Sequence, residues 1–261
     1  MNIKFKKPAV SIIMPAYNSA GTISDSIRSV IGQDFEEWEL IICDDKSVDD
    51  TIKQVKMFDD PRITLVHNNY GKGAALARNY AISFSKGRYI AFLDSDDLWH
   101  PRKLSTQYEY MMENDLAFSY GDYHVFHEKS NLTHGLFRTP ATINYEMLKK
   151  TCPIGCLTVM LDKEKINDIS MMAIPKEDYA TWLRLFKEYN PCNSRYPGVL
   201  AYYRVGQSSL SSNKLKEIFK QFRVLRVVTK ENVFSCWLYV FYYILHGFLK
   251  HFFSYRKKMS V

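Results

Sequence analysis

Cysteine is scarce. Five occur in 261 residues, in no paired arrangement, which excludes a disulfide-stapled scaffold and leaves reduced thiols and a cytosolic site as the expectation. Cys152 and Cys156 lie four apart, but no further His or Cys pair completes a zinc set. Nine prolines and eleven glycines are too few for a disordered or collagen-like chain. No secretory signal is read at the start: Met1–Lys7 is polar, and Val10–Met14 is too short for a signal core. A Walker sequence is absent and no G-x-G-x-x-G follows the first apolar run. Gly71-Lys72-Gly73 lacks the remaining spacing, which speaks against a P-loop ATPase and a standard dinucleotide site. Internal repeats and low-complexity segments are missing too.

What is there is an ordinary globular mix, 46% apolar and 24% charged, with length for one large α/β domain and an appendage. The net charge of +7 is concentrated at one end. Residues 214–261 hold ten Lys/Arg and two acids, while the other 213 residues carry 25 basic and 26 acidic side chains. Nucleic acid is not the expected partner, because no RNA-module signature occurs and the basic residues are mixed with apolar ones.

The first hundred residues alternate regularly. Short β-branched apolar runs at Val10–Met14, Glu39–Cys43, Arg62–Val66 and Arg88–Leu93 predict buried strands. Between them, Ala20–Ile31, a stretch from about Asp49, and Gly73–Phe84 predict helices. This β-α-β-α-β-α-β order implies an α/β fold: a Rossmann-like, mostly parallel sheet flanked by helices. Farther on, Leu116–Phe126, Leu132–Arg138, Leu157–Leu161 and Val199–Val205 predict strands, and Pro175–Tyr189 a helix.

Ligands in such folds bind beyond the carboxyl ends of the strands. Polar clusters sit at three such ends: 15–18, 44–50 and 94–97. Asp44, Asp45, Asp49, Asp94, Asp96 and Asp97 would converge there and repel one another. Oxygen-only ligands suit Mg²⁺ or Mn²⁺, which keeps waters and bridges to ligand phosphates. A nucleotide diphosphate with a divalent metal is therefore the first expectation. The other reading, aspartates capping helices without a metal, stays open for Asp49 and Asp97.

Four segments together resemble one family. Val10–Asn18 (VSIIMPAYN), Ile41–Asp50 (IICDDKSVDD), Gly71–Asn79 (GKGAALARN) and Tyr89–Leu98 (YIAFLDSDDL) look like the inverting, nucleotide-sugar-dependent glycosyltransferases of family two. Their fold is the A-type glycosyltransferase fold, and the resemblance covers roughly residues 8–210. It implies that Pro15, Tyr17 and Asn18 lie along the nucleotide, with the Tyr17 ring against uracil. Asp45 would accept a hydrogen bond from the base, and Arg78 would approach the base and diphosphate. Asp94, Ser95 and Asp96 match the family's D-x-D motif, with Asp96 the more direct metal ligand. Lys176-Glu177-Asp178-Tyr179-x-x-Trp182 is similar to the family's E-D-(Y/W)-x-x-W segment, and Asp178 matches its catalytic base. The alternative reading is that Glu177-Asp178 merely opens a helix, where the dipole favours acids in the first turn. Two departures stand out: Lys46 replaces the usual Gly of D-D-x-S, and no His follows Tyr203-Arg204. Arg204 and the Ser208–Asn213 loop are candidates to close over the phosphates.

The end of the chain differs. Lys214–Lys230 predicts a basic amphipathic helix with Leu215, Ile218, Phe219, Phe222 and Leu225 on one side. Val233–Leu249 then runs 17 residues without Lys, Arg, Asp or Glu, and Phe234–Tyr255 holds ten aromatics among 22. That length is at the lower limit of a membrane span, and basic residues flank both sides. A helix pair lying in an anionic leaflet fits best. A true span, or a core or homodimerisation helix, is the alternative.

The sequence thus predicts a metal-dependent inverting glycosyltransferase at the cytoplasmic face of a bacterial inner membrane. Residues 1–213 would be the catalytic domain (1–100 nucleotide half, 101–213 acceptor half) and 214–261 a membrane-associating helical tail. The expected donor is a UDP-hexose with Mn²⁺ or Mg²⁺. The expected acceptor is a lipid-linked saccharide for surface polysaccharide. The rival readings are a soluble or protein acceptor, and an inactive nucleotide-sugar-binding scaffold.

Overall fold

The structure, a computed structural model, describes residues 7–127, 133–205 and 214–256. In chain order the elements are β1 (Val10–Ala16), α1 (Ile23–Ile31), β2 (Trp38–Asp44), α2 (Thr51–Val55), β3 (Ile63–His67), α3 (Ala74–Ile82), β4 (Tyr89–Phe92) and β5 (Leu98–Trp99). They continue with α4 (Lys103–Glu113), β6 (Phe118–Phe126), β7 (Thr133–Phe137), α5 (Tyr145–Lys150), β8 (Met160–Asp162), α6 (Glu177–Tyr189), β9 (Asn193–Arg204), α7 (Lys214–Thr229) and α8 (Val233–Arg256).

One sheet runs in the order β3-β2-β1-β4-β8-β6-β9-β5, with β7 added to β6. The first four strands are parallel, as the alternating pattern predicts. β8 then pairs antiparallel to both β4 and β6, and β9 runs parallel to β6. Successive residues of β1 and β2 point to opposite faces, and both faces are covered. Val10, Ile12, Met14, Leu40 and Ile42 pack on one side with Ile23, Ile27 and Val30 of α1. Ile13, Ile41 and Cys43 pack on the other with Ala75, Ala77 and Ala81 of α3 and Trp182 and Phe186 of α6. This two-sided burial is why the strands read as continuous apolar runs rather than as alternation. The alanines matter for the site, because α3 can lie close to β1 and β2 only where side chains are small.

Several elements depart from the sequence reading. The helix expected from Asp49 is only the five residues of α2, ended by a turn at Lys56-Met57. α1 begins at Ile23 rather than Ala20. Leu157–Leu161 is not one strand: Cys156–Thr158 form a 3₁₀ turn and the strand is Met160–Asp162. Helices α4 and α5 carry too few apolar residues in register to stand out in the sequence. Leu132 and the Ser208–Asn213 loop lie outside the described residues.

The terminal helices form a pair that packs on the body. Val224, Leu225 and Val228 of α7 and Cys236 and Val240 of α8 enter the same core as Trp182. The buried face of α7 centres on Gln221, Val224, Leu225 and Val228, so the expected apolar side is divided: Leu215 and Phe219 are exposed. Lysines fasten the pair. Lys149 donates to Glu231 at 3.0 Å and to the Tyr239 hydroxyl at 2.8 Å. Lys187 donates to the Val228 and Thr229 carbonyls that end α7. Lys176 donates to Gln221 at 3.0 Å and the Tyr243 hydroxyl at 3.2 Å. Phe234, Trp237, Leu238, Phe241 and Leu245 face outward, exposed. Among the described residues, no helix is long and apolar enough to cross a membrane.

Candidate active site

The three polar clusters of the sequence meet at the carboxyl ends of β1, β2 and β4. The first two are laced together. Asn18 accepts from the Val48 amide at 2.9 Å, and its own amide donates to the Ser47 hydroxyl at 3.0 Å. The Asp45 amide donates to the Ala16 carbonyl at 2.8 Å, continuing the β1–β2 ladder one step beyond the strands. The Asp45 side chain is buried and accepts from Asn68 Nδ2 and the Gly73 amide, both at 2.7 Å. It thereby holds the 68–73 loop that leads into α3. A carboxylate has about four acceptor positions, so capacity remains for a ligand donor. Pro15 is the next-to-last residue of β1, paired with Cys43 of β2. Tyr17 stands 47% exposed over this lattice, with Lys72 Nζ 4.9 Å from the ring centre. An aromatic face left open beside a buried acceptor is suited to a planar base.

Lys46, where the resembled family has Gly, sits at φ +68°. The turn needs the left-handed conformation that glycine adopts freely, and here a lysine adopts it. Asp44 accepts from the Lys46 and Ser47 amides, which steadies that turn. Asp49 accepts from the Thr51 amide and hydroxyl and from the Ala20 amide. It anchors the loop before α1 to the start of α2, but it does not cap that helix, whose N-cap position is Asp50 without a side-chain cap bond.

The third cluster carries the charge. Arg78, buried on α3, donates from Nη2 to Asp94 at 2.5 Å and from Nη1 to Glu177 at 2.9 Å. One guanidinium so joins the end of β4 to the first turn of α6, where Asp178 stands next to Glu177. Asp94, Asp97, Glu177 and Asp178 line a cavity of about 290 Å³, together with Arg78, Tyr123 and Tyr203. Ser95 is buried, and its carbonyl accepts from the Thr22 hydroxyl at 2.9 Å, tying the turn to α1. Arg204 does not reach outward. Its amide donates to Asp97 at 2.8 Å and its Nε to the Asp96 carbonyl at 2.6 Å, so it braces the D-S-D-D turn.

Negative charge exceeds positive here. Burial raises the Asp178 carboxyl above its ordinary value, and Glu177 adds to this, while the Tyr179 amide and Arg78 oppose it. The Asp96 carboxyl is raised by the surrounding protein and then by Asp94, and Asp97 is raised strongly by burial, Asp94 and Asp96. One oxygen of Asp97 is buried without a hydrogen-bond partner. Such crowding is what a divalent cation relieves. Among the described residues no group of three or more His, Cys, Asp or Glu is assembled to hold an ion. The carboxylates here that could offer oxygens to an ion are the exposed Asp96 and Asp94, whose other partner is Arg78. Two carboxylates plus ligand phosphates suit Mg²⁺ or Mn²⁺ better than a closed all-protein cage does.

All nine residues singled out in the sequence thus lie at these strand ends or line this cavity. Asn18 and Ser95 serve chiefly by holding loops. Sequence reasoning gave no role to Glu177 as the second partner of Arg78, nor to Tyr123 and Tyr203. Glu177 had a signal, its place beside Asp178. Tyr123 had none, since only the β6–β9 pairing brings it to the cavity.

Residues 11–168 match the family described as Glycosyl transferase family 2. The UDP-Glc:alpha-D-GlcNAc-diphosphoundecaprenol beta-1,3-glucosyltransferase WfgD of Escherichia coli is 45% identical over 247 residues, covering 95% of this chain and 96% of the relative. Among solved structures, S. aureus TarS 1-349 in complex with UDP-GlcNAc superposes with a TM-score of 0.68 at 20% identity, over 92% of this chain and 72% of that one. Mannosyltransferase PcManGT from Pyrobaculum calidifontis, in complex with GDP-Man and Mn²⁺, gives 0.65 at 16% identity, over 90% and 70%. At such identities these two likenesses speak for the fold, the A-type glycosyltransferase fold.

Proposed function

The chain belongs to glycosyl transferase family 2, and from that premise we propose that it moves a hexose, glucose in the first instance, from a UDP-sugar to a lipid-linked saccharide, with inversion, in surface polysaccharide synthesis. The observation that carries this is the convergence of Asp94 and Asp178 on one cavity, where Arg78 joins Asp94 to Glu177 beside Asp178, in a chain that shares 45% identity with such an enzyme over nearly its full length.

Tyr17 stacks on uracil, Pro15 and Asn18 shape its seat, and Asp45 accepts from the base. Asp96, with Asp94, would hold Mn²⁺ or Mg²⁺, which when bound would neutralise the departing diphosphate. Arg78 keeps Asp94 aimed and Ser95 fixes the turn. The acceptor hydroxyl oxygen attacks the anomeric carbon as the bond from that carbon to the diphosphate oxygen breaks. Asp178 takes the hydroxyl proton, so no charge accumulates on the nucleophile. Burial raises the Asp178 carboxyl above its ordinary value, the direction that makes it a better proton acceptor. A single displacement turns an α-linked donor into a β-linked product.

Residues 1–213 act as the catalytic domain, 1–100 holding the nucleotide and 101–213 the acceptor. Residues 214–261 associate with the membrane. The outward Phe234, Trp237, Leu238, Phe241 and Leu245, with the basic residues of α7, suit the interface of an anionic leaflet. The protein is then peripheral, on the cytoplasmic face of the bacterial inner membrane.

The test is incubation with UDP-glucose, Mn²⁺ and a synthetic GlcNAc-diphosphate bearing a short alkyl chain. Release of UDP with a β-linked disaccharide product, lost on chelation and restored by Mn²⁺ or Mg²⁺, is expected. No binding of any UDP-sugar by folded protein would overturn the reading and leave an inactive scaffold.

A further inference from the structure

The cavity beside Asp178 has two unlike walls. Asp94, Asp97, Glu177 and Asp178 form the acidic one, and Tyr123 of β6 and Tyr203 of β9 form the other. The aromatic wall is built rather than incidental. Tyr123 and Tyr203 meet edge to face at 6.0 Å between ring centres. Behind Tyr123, Phe137 of β7 stacks at 4.7 Å with planes 9° apart. The loop on the third side approaches so closely that a Cβ on Gly155 would lie 2.8 Å from the Tyr123 ring. Tyr123 is thus clamped, whereas Tyr203 stays 42% exposed. An exposed ring held by a rigid ring, next to carboxylates, has no role in packing the core.

The strand order says which ligand this wall faces. The nucleotide seat lies on β1 and β2, and the D-S-D turn follows β4. Tyr123 and Tyr203 lie beyond β4, across β8, on β6 and β9. A donor laid from β2 toward β4 presents its sugar at the cavity, and what enters from the β6–β9 side is the other substrate. A pyranose has one face rich in C–H bonds, which carry partial positive charge, and an equator of hydroxyls. The negative face of an aromatic ring attracts the first, and carboxylates accept from the second.

Resting on the glycosyltransferase reading of this cavity, we propose that Tyr203, braced by Tyr123, is the platform on which the acceptor's terminal sugar stacks, turning its reacting hydroxyl toward Asp178. Tyr203 is a positioning residue for the acceptor and makes no contact with the nucleotide. The acceptor class it selects is a pyranose with an unobstructed C–H face, rather than a protein hydroxyl.

The experiment compares wild type, Tyr203→Phe and Tyr203→Leu with UDP-glucose and the GlcNAc-diphosphate alkyl analogue. Because the ring is half open to solvent, both variants are expected to fold. Tyr203→Leu raises KM for the analogue about tenfold, the scale of one lost aromatic stacking contact. KM for UDP-glucose holds, and Tyr203→Phe, which keeps the ring, stays near wild type. Equal KM values for the analogue in all three overturn the proposal while leaving the transferase reading intact. A rise in Tyr203→Phe as large as in Tyr203→Leu overturns stacking as well, since only the hydroxyl is then at work. Saturation-transfer NMR with the same analogue needs no turnover. Transfer from aromatic protons to the sugar in wild type, lost in Tyr203→Leu, is expected, and its absence in wild type sinks the platform whether or not UDP-glucose is consumed.

Discussion

Arg78 Nη2 lies 2.5 Å from Asp94 Oδ1, and this contact ties the two halves of the site together. Asp94 stands two residues beyond β4, at the carboxyl end of the parallel strands. The same guanidinium reaches Glu177 on α6, one residue from Asp178. Charge-assisted contacts in a buried setting are short and directional, so the distance between the carboxylate that follows β4 and those that open α6 is set by one arginine. Arg78 can do this only because α3 is made of small residues and lies against the sheet.

Arg78→Met leaves both carboxylates without their partner. Removing one member of a fully buried pair costs about 3–5 kcal/mol. Asp94 and Glu177 keep side-chain exposures of 31% and 28%, so a loss of about 2–3 kcal/mol in urea unfolding is expected. Activity falls more steeply than stability, because both carboxylates are freed to move. Arg78→Lys restores charge but cannot reach two partners, and it recovers less than half the stability lost. Full recovery in Arg78→Lys would show that the fork geometry is irrelevant.

Asp178→Asn removes the proton acceptor while keeping shape. A fall in kcat of about 10²–10⁴-fold is expected, with UDP binding unchanged by calorimetry. The wild-type rate carries the pH signature. Burial raises the Asp178 carboxyl, and a base works only when deprotonated, so the rate declines as pH falls through a value above the ordinary carboxylate pKa. The stability sign is the opposite. A carboxyl raised in the folded state contributes fully below its unfolded value and loses that contribution as pH rises through the folded one. Asp178→Asn therefore gains stability relative to wild type toward neutral pH. Arg78→Met moves the acid limb of any residual activity upward, since Arg78 holds the Asp178 carboxyl down.

Much of this was legible in the sequence, for reasons tied to particular residues. The parallel half was readable because Val10–Met14 and Glu39–Cys43 are buried on both faces and so are uninterrupted apolar runs. Asp45, Asp94 and Asp96 stood out because polar clusters after apolar strands are where ligand chemistry gathers, whereas Arg78, on α3, was singled out only through the family resemblance. Local pattern failed where tertiary contact decides. Leu157 and Val159 look like strand, yet Gly155 and the Tyr123 ring force a tight turn first. The buried side of α7 was misjudged because α6 and α8, not the helix's own apolar stripe, determine which residues are covered. Tyr203 stood in plain view in the Tyr203-Arg204 pair, but its partner Tyr123 is eighty positions away.

Lys46→Gly tests the departure at the D-D-x-S turn. A left-handed non-glycine residue costs about 1–2 kcal/mol, of which glycine's extra freedom in the unfolded chain cancels about 0.5–1. A net gain of about 0.5–1 kcal/mol is expected, a rise of about 2 °C in Tm. The Lys46 amide keeps its bond to Asp44, so nucleotide affinity is expected to hold. A tenfold or greater loss of UDP affinity would instead assign the Lys46 ammonium to the diphosphate.

The outer face of α8 gives the last prediction. Phe234, Leu238 and Phe241 are each 45–80% exposed on a helix whose opposite side is fixed by Tyr239 and Tyr243 to lysines of the body and by Trp237, stacked on Phe222, to α7. Fully burying one such side chain is worth about 1.5–3 kcal/mol. Replacing all three by Ser is therefore expected to lower binding to vesicles containing anionic lipid at least tenfold. Wild-type binding should weaken with salt, because the basic residues of α7 act through a screened field. Turnover of the short-chain acceptor analogue should survive, since the lysine contacts that seat α8 are untouched. The same variant run on a sizing column with light scattering separates lipid from a second copy of the chain. Vesicle binding that is unchanged, together with a wild-type dimer that the variant lacks, would mean that this face joins two copies and that lipid is met elsewhere.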